Sequence, residues 1–179
     1  MQTYIAILRG INVSGQKKIK MDELREALAS LGFSNLATYI QSGNVVFQAT
    51  PEDGLSLAQK IHECIEEAFG FDVPVLVRSL EEWQGVVDRF PFKGIEELNR
   101  LMVTFLEEKP AHIPVEEIDA LKASKDEVVY GEREVYLYVP DGYGKSKLDN
   151  NTLERKLKVR ATTRNWKTTL TLLEMGKDL

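Results

Sequence analysis

Leu36-Ala37-Thr38-Tyr39-Ile40-Gln41-Ser42-Gly43-Asn44-Val45-Val46-Phe47-Gln48 reads as two β-forming runs, Leu36–Gln41 and Asn44–Gln48, on either side of Ser42-Gly43. β-Branched and aromatic residues suit the pleated, half-buried surface of a sheet. Glycine supplies the positive φ that a tight hairpin turn requires. The stretch therefore predicts a β-hairpin, and its neighbours decide what the hairpin belongs to. Upstream, Thr3–Leu8 is a short apolar run that predicts a strand. Met21, Leu24, Leu28 and Leu31 recur at helical spacing, with Gly32 placed to end the helix. Downstream, Leu57, Ile61, Cys64, Ile65 and Ala68 share one face of a second helix that stops at Gly70, and Val73–Val77 is a further strand. Residues 1–78 thus read β-α-β-β-α-β. That is the ferredoxin-like, split-βαβ order, an antiparallel sheet with both helices on one face.

The order then repeats. Ser79-Leu80-Glu81-Glu82 has the spacing of a capping box, and the helix it opens reaches about Phe90, before Pro91. Residues 79–97 read as a linking helix and loop. Leu101–Leu106 is a strand, Val115–Ala123 a helix, and Glu127–Tyr130 with Glu134–Val139 a second hairpin around Gly131-Glu132. Leu148–Leu157 is a helix and Val159–Thr163 a sixth strand. Trp166–Met175 is an added C-terminal helix, with Trp166, Leu170 and Leu173 on one face. The fold class expected is α+β: two tandem ferredoxin-like halves, residues 1–78 and 98–179, alike in element order rather than in letters. Duplication is the preferred explanation.

The length of 179 residues and a hydrophobic fraction of 43% suit one large domain or two small ones with a packed core. No apolar run approaches the ~18 residues of a membrane-spanning helix, and the start lacks the form of a signal peptide, so the expected location is cytoplasmic with no membrane partner. Cys64 is the only cysteine and reads as a core thiol. The net charge of −5 is unevenly placed. Residues 26–144 carry nine Lys/Arg against twenty-two Asp/Glu, whereas residues 145–167 carry eight against two. A basic block on an acidic body is a candidate anion surface, and equally a solvated helix face.

Two loops between strand and helix carry the candidate chemistry. The first is Arg9-Gly10-Ile11-Asn12-Val13-Ser14-Gly15-Gln16-Lys17-Lys18, and the second is Pro140-Asp141-Gly142-Tyr143-Gly144-Lys145-Ser146-Lys147. Glycines let successive backbone N–H groups point one way, and a helix N-terminus behind them adds partial positive charge. Arg9, Lys17, Lys145 and Lys147 would add full charge. Gly144-Lys145-Ser146 matches the end of a P-loop. That pattern, however, needs glycine where Val139 stands, so a P-loop is rejected. A third feature is Thr163-Arg164-Asn165-Trp166-Lys167-Thr168. Thr163 or Asn165 is placed to cap the last helix, Arg164 and Trp166 are types that bind anions and stack on rings, and Trp166 equally suits an anchor to the core.

The runs Arg9–Val13, Tyr39–Phe47, Gly142–Leu148 and Thr163–Thr168 resemble signature stretches of an uncharacterised bacterial domain family, DUF1697. Many members have glycine where this chain has Ser14. The resemblance implies two ferredoxin-like halves and implies no activity.

Three readings follow. The leading one is a binding protein for a phosphate-bearing ligand: a nucleotide, a phosphorylated metabolite or a nucleic-acid segment. It draws on Arg9, Asn12, Lys17, Tyr39, Ser42 and Asn44 from the first half. From the second half it draws on Gly142, Gly144, Lys145, Ser146, Lys147, Arg164, Asn165 and Trp166, and it requires the two loops to converge. The second is a small enzyme on the same loops, using Lys145 with Ser146 or Tyr39 near Asn44, with no general base identified. The third is an interaction module that pairs with a partner or forms a homodimer. His62 and His112 have no metal-ligand spacing with Cys64, so no metal and no cofactor are expected.

Overall fold

β1 (Gln2–Leu8) alternates two apolar faces, and the partners of each face build the first sheet. The computed structural model describes residues 1–179. β1 is followed by α1 (Met21–Ala29), β2 (Ser34–Tyr39), β3 (Asn44–Ala49), α2 (Gly54–Phe69) and β4 (Val75–Ser79). The sheet order is β2-β3-β1-β4, with antiparallel pairing throughout. Tyr4, Ala6 and Leu8 of β1 join Val45, Phe47 and Val77 in one buried cluster with Leu24 and Leu28 of α1 and Leu57, Ile61 and Ile65 of α2. Both helices therefore cover the same face. Ile5, Ile7, Val46 and Leu76, on the opposite face, are buried as well. α2 starts at Asp53, whose side chain accepts from the Ser56 amide, and stops at Gly70, which takes φ +74. These are the start and stop devices expected of a helix with those flanks.

α3 (Leu80–Asp88) opens with the reciprocal box expected from its sequence. The Ser79 amide donates to Glu82 Oε2 at 2.8 Å, and the Glu82 amide donates to Ser79 Oγ at 3.1 Å. β5 (Leu101–Leu106), α4 (Val115–Asp119), β6 (Glu127–Tyr130), β7 (Glu134–Tyr138), α5 (Asn150–Leu157), β8 (Ala161–Asn165) and α6 (Trp166–Lys177) complete the chain. The second sheet has the order β6-β7-β5-β8, again antiparallel and element for element the order of the first. The fold is a duplicated ferredoxin-like α+β fold. The chain divides into two units, Met1–Gly85 with Thr171–Leu179, and Val86–Leu170. No helix is long and apolar enough to cross a membrane.

In the second unit, Met102, Leu106, Val135 and Leu137 pack on Ile118 of α4 and Leu153 and Leu157 of α5. The other face of the sheet carries an aromatic stack. Trp166 lies flat on Phe90, with ring centroids 3.6 Å apart and planes at 11°, and Phe90 meets Tyr136 edge-on at 5.8 Å. Side chains of α5 close the outer edge of β8. Asn150 Nδ2 donates to the Ala161 carbonyl and Glu154 Oε2 accepts from the Ala161 amide, both at 2.9 Å. An open strand edge invites pairing with another chain, and these bonds occupy its first residue.

The structure differs from the sequence reading locally: β2, β4 and β8 run Ser34–Tyr39, Val75–Ser79 and Ala161–Asn165, each shifted by two residues from the expected Leu36–Gln41, Val73–Val77 and Val159–Thr163, and three further differences have a visible cause. The first hairpin turns over four residues, Ile40–Gly43, rather than over Ser42-Gly43 alone. Asn44 is buried, and its side-chain Nδ2 donates to the Tyr39 carbonyl at 2.9 Å and to Ser42 Oγ at 3.0 Å, closing the longer loop. α4 is shorter than expected: Leu121 and Lys122 bond back three residues, to the carbonyls of Ile118 and Asp119, which tightens the chain out of the helix. The helix before β8 begins at Asn150 rather than Leu148 because Asp149 caps it, accepting from the Thr152 amide at 2.8 Å.

The hydroxyl of Tyr130, on β6, is buried without a hydrogen-bond partner. Burial, aided by the negative charge of Asp119, pushes its pKa up to about 12. A folded-state value above the ordinary ~10 means that the native state favours the neutral phenol. The associated stability is complete below pH ~10 and is lost as the pH rises toward ~12. Tyr130→Phe is expected to leave stability unchanged or raise it by up to about 1 kcal/mol at neutral pH, because no bond is lost. It should also weaken the alkaline decline. Urea unfolding at pH 7 and at pH 11 measures both.

Candidate functional site

The first glycine loop lies between β1 and α1, and its backbone is unusual. Gly10, Asn12, Ser14, Gly15 and Lys17 all have φ between +46° and +77°. Asn12 explains how the chain holds that path. Its Nδ2 donates to the carbonyls of Ile19 at 2.9 Å and Gln41 at 2.8 Å, and its Oδ1 accepts from the Ile19 amide at 2.9 Å. The amide is fully used, so Asn12 builds the loop and ties it to the β2–β3 turn. Asn44 is likewise buried and engaged with the turn, with Ser42 as one of its acceptors. Lys17 donates from Nζ to the backbone carbonyl of Asp72. Tyr39 is half-buried at the end of β2, and Arg9 is half-buried at the end of β1. Sequence reasoning placed Asn12, Ser42 and Asn44 with the ligand; the geometry gives their polar atoms to the scaffold.

The second loop lies between β7 and α5. Its backbone folds back in short steps. Gly142 donates to the Val139 carbonyl at 2.9 Å, and Tyr143–Lys145 form one 3-10 turn closed by the Ser146 amide on the Tyr143 carbonyl. The Ser146 hydroxyl accepts from the Leu148 amide at 3.0 Å, which fixes the exit toward α5. Gly144, Lys145 and Lys147 are exposed, and neither lysine has a carboxylate partner. The N-terminus of α5 does not add to this loop as the sequence suggested, because the Asp149 carboxylate occupies it.

A residue that sequence reasoning missed completes the second loop. Gly142 has φ +98, and a Cβ there would lie 2.5 Å from Nη1 of Arg100. Only a residue without a side chain lets the guanidinium come this close. Arg100 is brought there by the antiparallel register of β5 and β7: the Val139 amide donates to the Arg100 carbonyl at 2.9 Å. Its Nε is buried without a hydrogen-bond partner. Glu97 forms an ion pair with Nε at 3.5 Å, and the two side chains are 33% exposed for Arg100 and 73% for Glu97. No motif announced Arg100, because the contact depends on strand register across about forty residues of chain.

The third predicted feature divides. Asn165 caps α6, accepting from the Thr168 amide at 2.8 Å. Thr163 instead bonds Thr104 Oγ1 at 2.8 Å and donates to Asn150 Oδ1 at 2.9 Å. Trp166 is only 6% exposed and its ring face is taken by Phe90, which makes it an anchor of the helix. Arg164 is half-buried, and desolvation lowers its pKa to about 10. Burial also raises the pKa of the Cys64 thiol, which keeps it in the unreactive protonated form.

A family described as "Protein of unknown function (DUF1697)" matches residues 1–136. The chain belongs to the DUF1697 family. The matched residues take in the first loop and the Tyr39–Phe47 hairpin and end at Tyr136, so the Gly142–Lys147 loop and the Thr163–Thr168 run lie beyond them. Among solved structures, the chain is similar to the conserved bacterial protein SP0830 from Streptococcus pneumoniae, with 24% identity over 97% of this chain and 98% of that one and a TM-score of 0.74. That likeness extends the duplicated fold to a second bacterial protein. No curated protein matches the chain.

Proposed function

We propose that this DUF1697 protein binds a phosphate-bearing ligand at the β7–α5 loop, with a nucleotide, a phosphorylated metabolite or a nucleic-acid segment as the classes to separate. The observation that carries this reading is the seating of the Arg100 guanidinium on Gly142, its Nε buried and without a hydrogen bond. Nε is offset only by the long ion pair with the exposed Glu97, and the Arg100 side chain as a whole is 33% exposed, so part of it is open to a ligand. A guanidinium presents its donors as a planar fork that suits phosphate oxygens. Lys145 and Lys147, unpaired and exposed on the same loop, supply the long-range charge. Gly142 serves by having no side chain.

The test is a thermal-shift titration with inorganic phosphate, a nucleoside monophosphate, a hexose phosphate and a short single-stranded oligonucleotide. At about a hundred times its dissociation constant, the true class adds about 2.7 kcal/mol of stability. The double variant Lys145→Ala/Lys147→Ala is expected to weaken that ligand about tenfold or more, because two charge-assisted contacts are lost. If an oligonucleotide is the ligand, affinity falls steeply with salt. Full affinity in the double variant would contradict the assignment.

A further inference from the structure

Val13, at the tip of the β1–α1 loop, is 56% exposed, and Ile40, at the start of the β2–β3 turn, is 52% exposed. The two segments are fastened together: Asn12 donates to the Gln41 carbonyl, and Gly43 packs directly on Ile11. Two aliphatic side chains are thus presented to solvent on neighbouring turns of the first unit. Ile40 has φ +51. A β-branched residue in the left-handed region is a true outlier, since its Cβ crowds the backbone. Such strain persists only where the surrounding structure imposes it, and it gathers at ligand clamps and functional surfaces. Asparagine or glycine would relieve it, so the aliphatic side chain is retained at a cost.

The charge around these residues defines the partner. Residues 10–20 hold Lys17, Lys18 and Lys20 and no carboxylate, in a chain of net charge −5. Lys18 is exposed and unpaired, Lys17 is tied to the backbone carbonyl of Asp72, and Lys20 has one loose exposed contact, Glu23 at 3.7 Å, so Lys18 and Lys20 are the charges most open to a partner. We infer that these two turns form a docking surface for an acidic protein segment that carries an aliphatic side chain. The lysines meet its carboxylates, and Val13 and Ile40 take its apolar residue. Charge complementarity of this kind sets partner choice, while a desolvated apolar contact holds the complex. A nucleic acid fits less well, because single-stranded bases stack on flat rings and Val13 and Ile40 offer none. This surface does not depend on the β7–α5 loop reading.

The experiment is fluorescence anisotropy of the full chain with a labelled peptide of repeated Asp-Glu-Leu, against the same peptide with serine for leucine. The leucine peptide is expected to bind about tenfold tighter than the serine peptide, and both to weaken with salt. Ile40→Asn should raise the melting temperature by about 2–4 °C, because asparagine tolerates positive φ, while abolishing the preference for leucine. Lys18→Glu should weaken both peptides by about tenfold. No binding, no leucine preference, or a preference that survives Ile40→Asn overturns the inference. So does tighter binding of a single-stranded oligonucleotide or of anionic lipid vesicles than of the leucine peptide.

Discussion

Trp166→Ala is expected to lower stability by about 3–5 kcal/mol, the range found when a buried tryptophan or phenylalanine is truncated. The indole lies flat on Phe90 at 3.6 Å, and Phe90 in turn meets the edge of Tyr136, whose hydroxyl donates to the Val86 carbonyl at 2.7 Å. Removing the indole opens a cavity against a ring held on its other side by packed neighbours, so the site collapses only in part. For a chain of this length the midpoint of thermal unfolding should fall by about 2–4 °C per kcal/mol. Trp166→Phe keeps most of the stack and should cost about a third as much. Phosphate binding, measured below the midpoint, should be unchanged, because the ring face is not available to a ligand. A loss below about 1 kcal/mol, or a ligand affinity that falls with the alanine variant, would contradict the anchoring role.

Gly43→Ala should cost about 2–5 kcal/mol, from two terms of similar size. The residue has φ +85, which an alanine adopts only at about 1–2 kcal/mol. A Cβ there would also lie 2.8 Å from both Leu8 Cβ and Ile11 Cδ1. Overpacking of a tight site adds about 1–3 kcal/mol. Leu8 Cβ sits on a central strand and cannot swing away, and the Leu8 amide is bonded to the Gly43 carbonyl at 2.8 Å. Gly10→Ala is the control: φ is +77 but nothing lies within 4 Å of the added Cβ, so only the backbone term of about 1–2 kcal/mol remains. Urea denaturation of the two variants should separate the terms. Equal losses would show that the turn, not the packing, sets the requirement for glycine at position 43.

The elements were legible because their signals are local. Leu101–Leu106 is a strand with the bounds its apolar run suggests, Gly70 stops α2, and Ser79 with Glu82 forms the box that their spacing announces. The repeated element order was enough to read a duplicated ferredoxin-like fold. Side-chain roles were less legible, because they depend on partners distant in sequence. Asn12 resembles a ligand-facing loop residue until Ile19 and Gln41 are seen to use all of its amide. Arg100 carried no signal at all, since its place over Gly142 follows from the pairing of β5 with β7. The positive φ of Ile40 runs against its residue type, which favours extended backbone, and no propensity argument yields it.

The β7–α5 loop is tested most directly by isothermal titration of the full chain with inorganic phosphate and with a nucleoside monophosphate, wild type against Arg100→Gln. Glutamine keeps some of the side-chain bulk of Arg100 and loses the charged fork. The wild type is expected to bind at least one of the two ligands saturably, and Arg100→Gln to bind it about tenfold or more weakly, with melting temperature little changed. Binding of equal strength in both proteins, or no heat from either ligand at low salt, would contradict it.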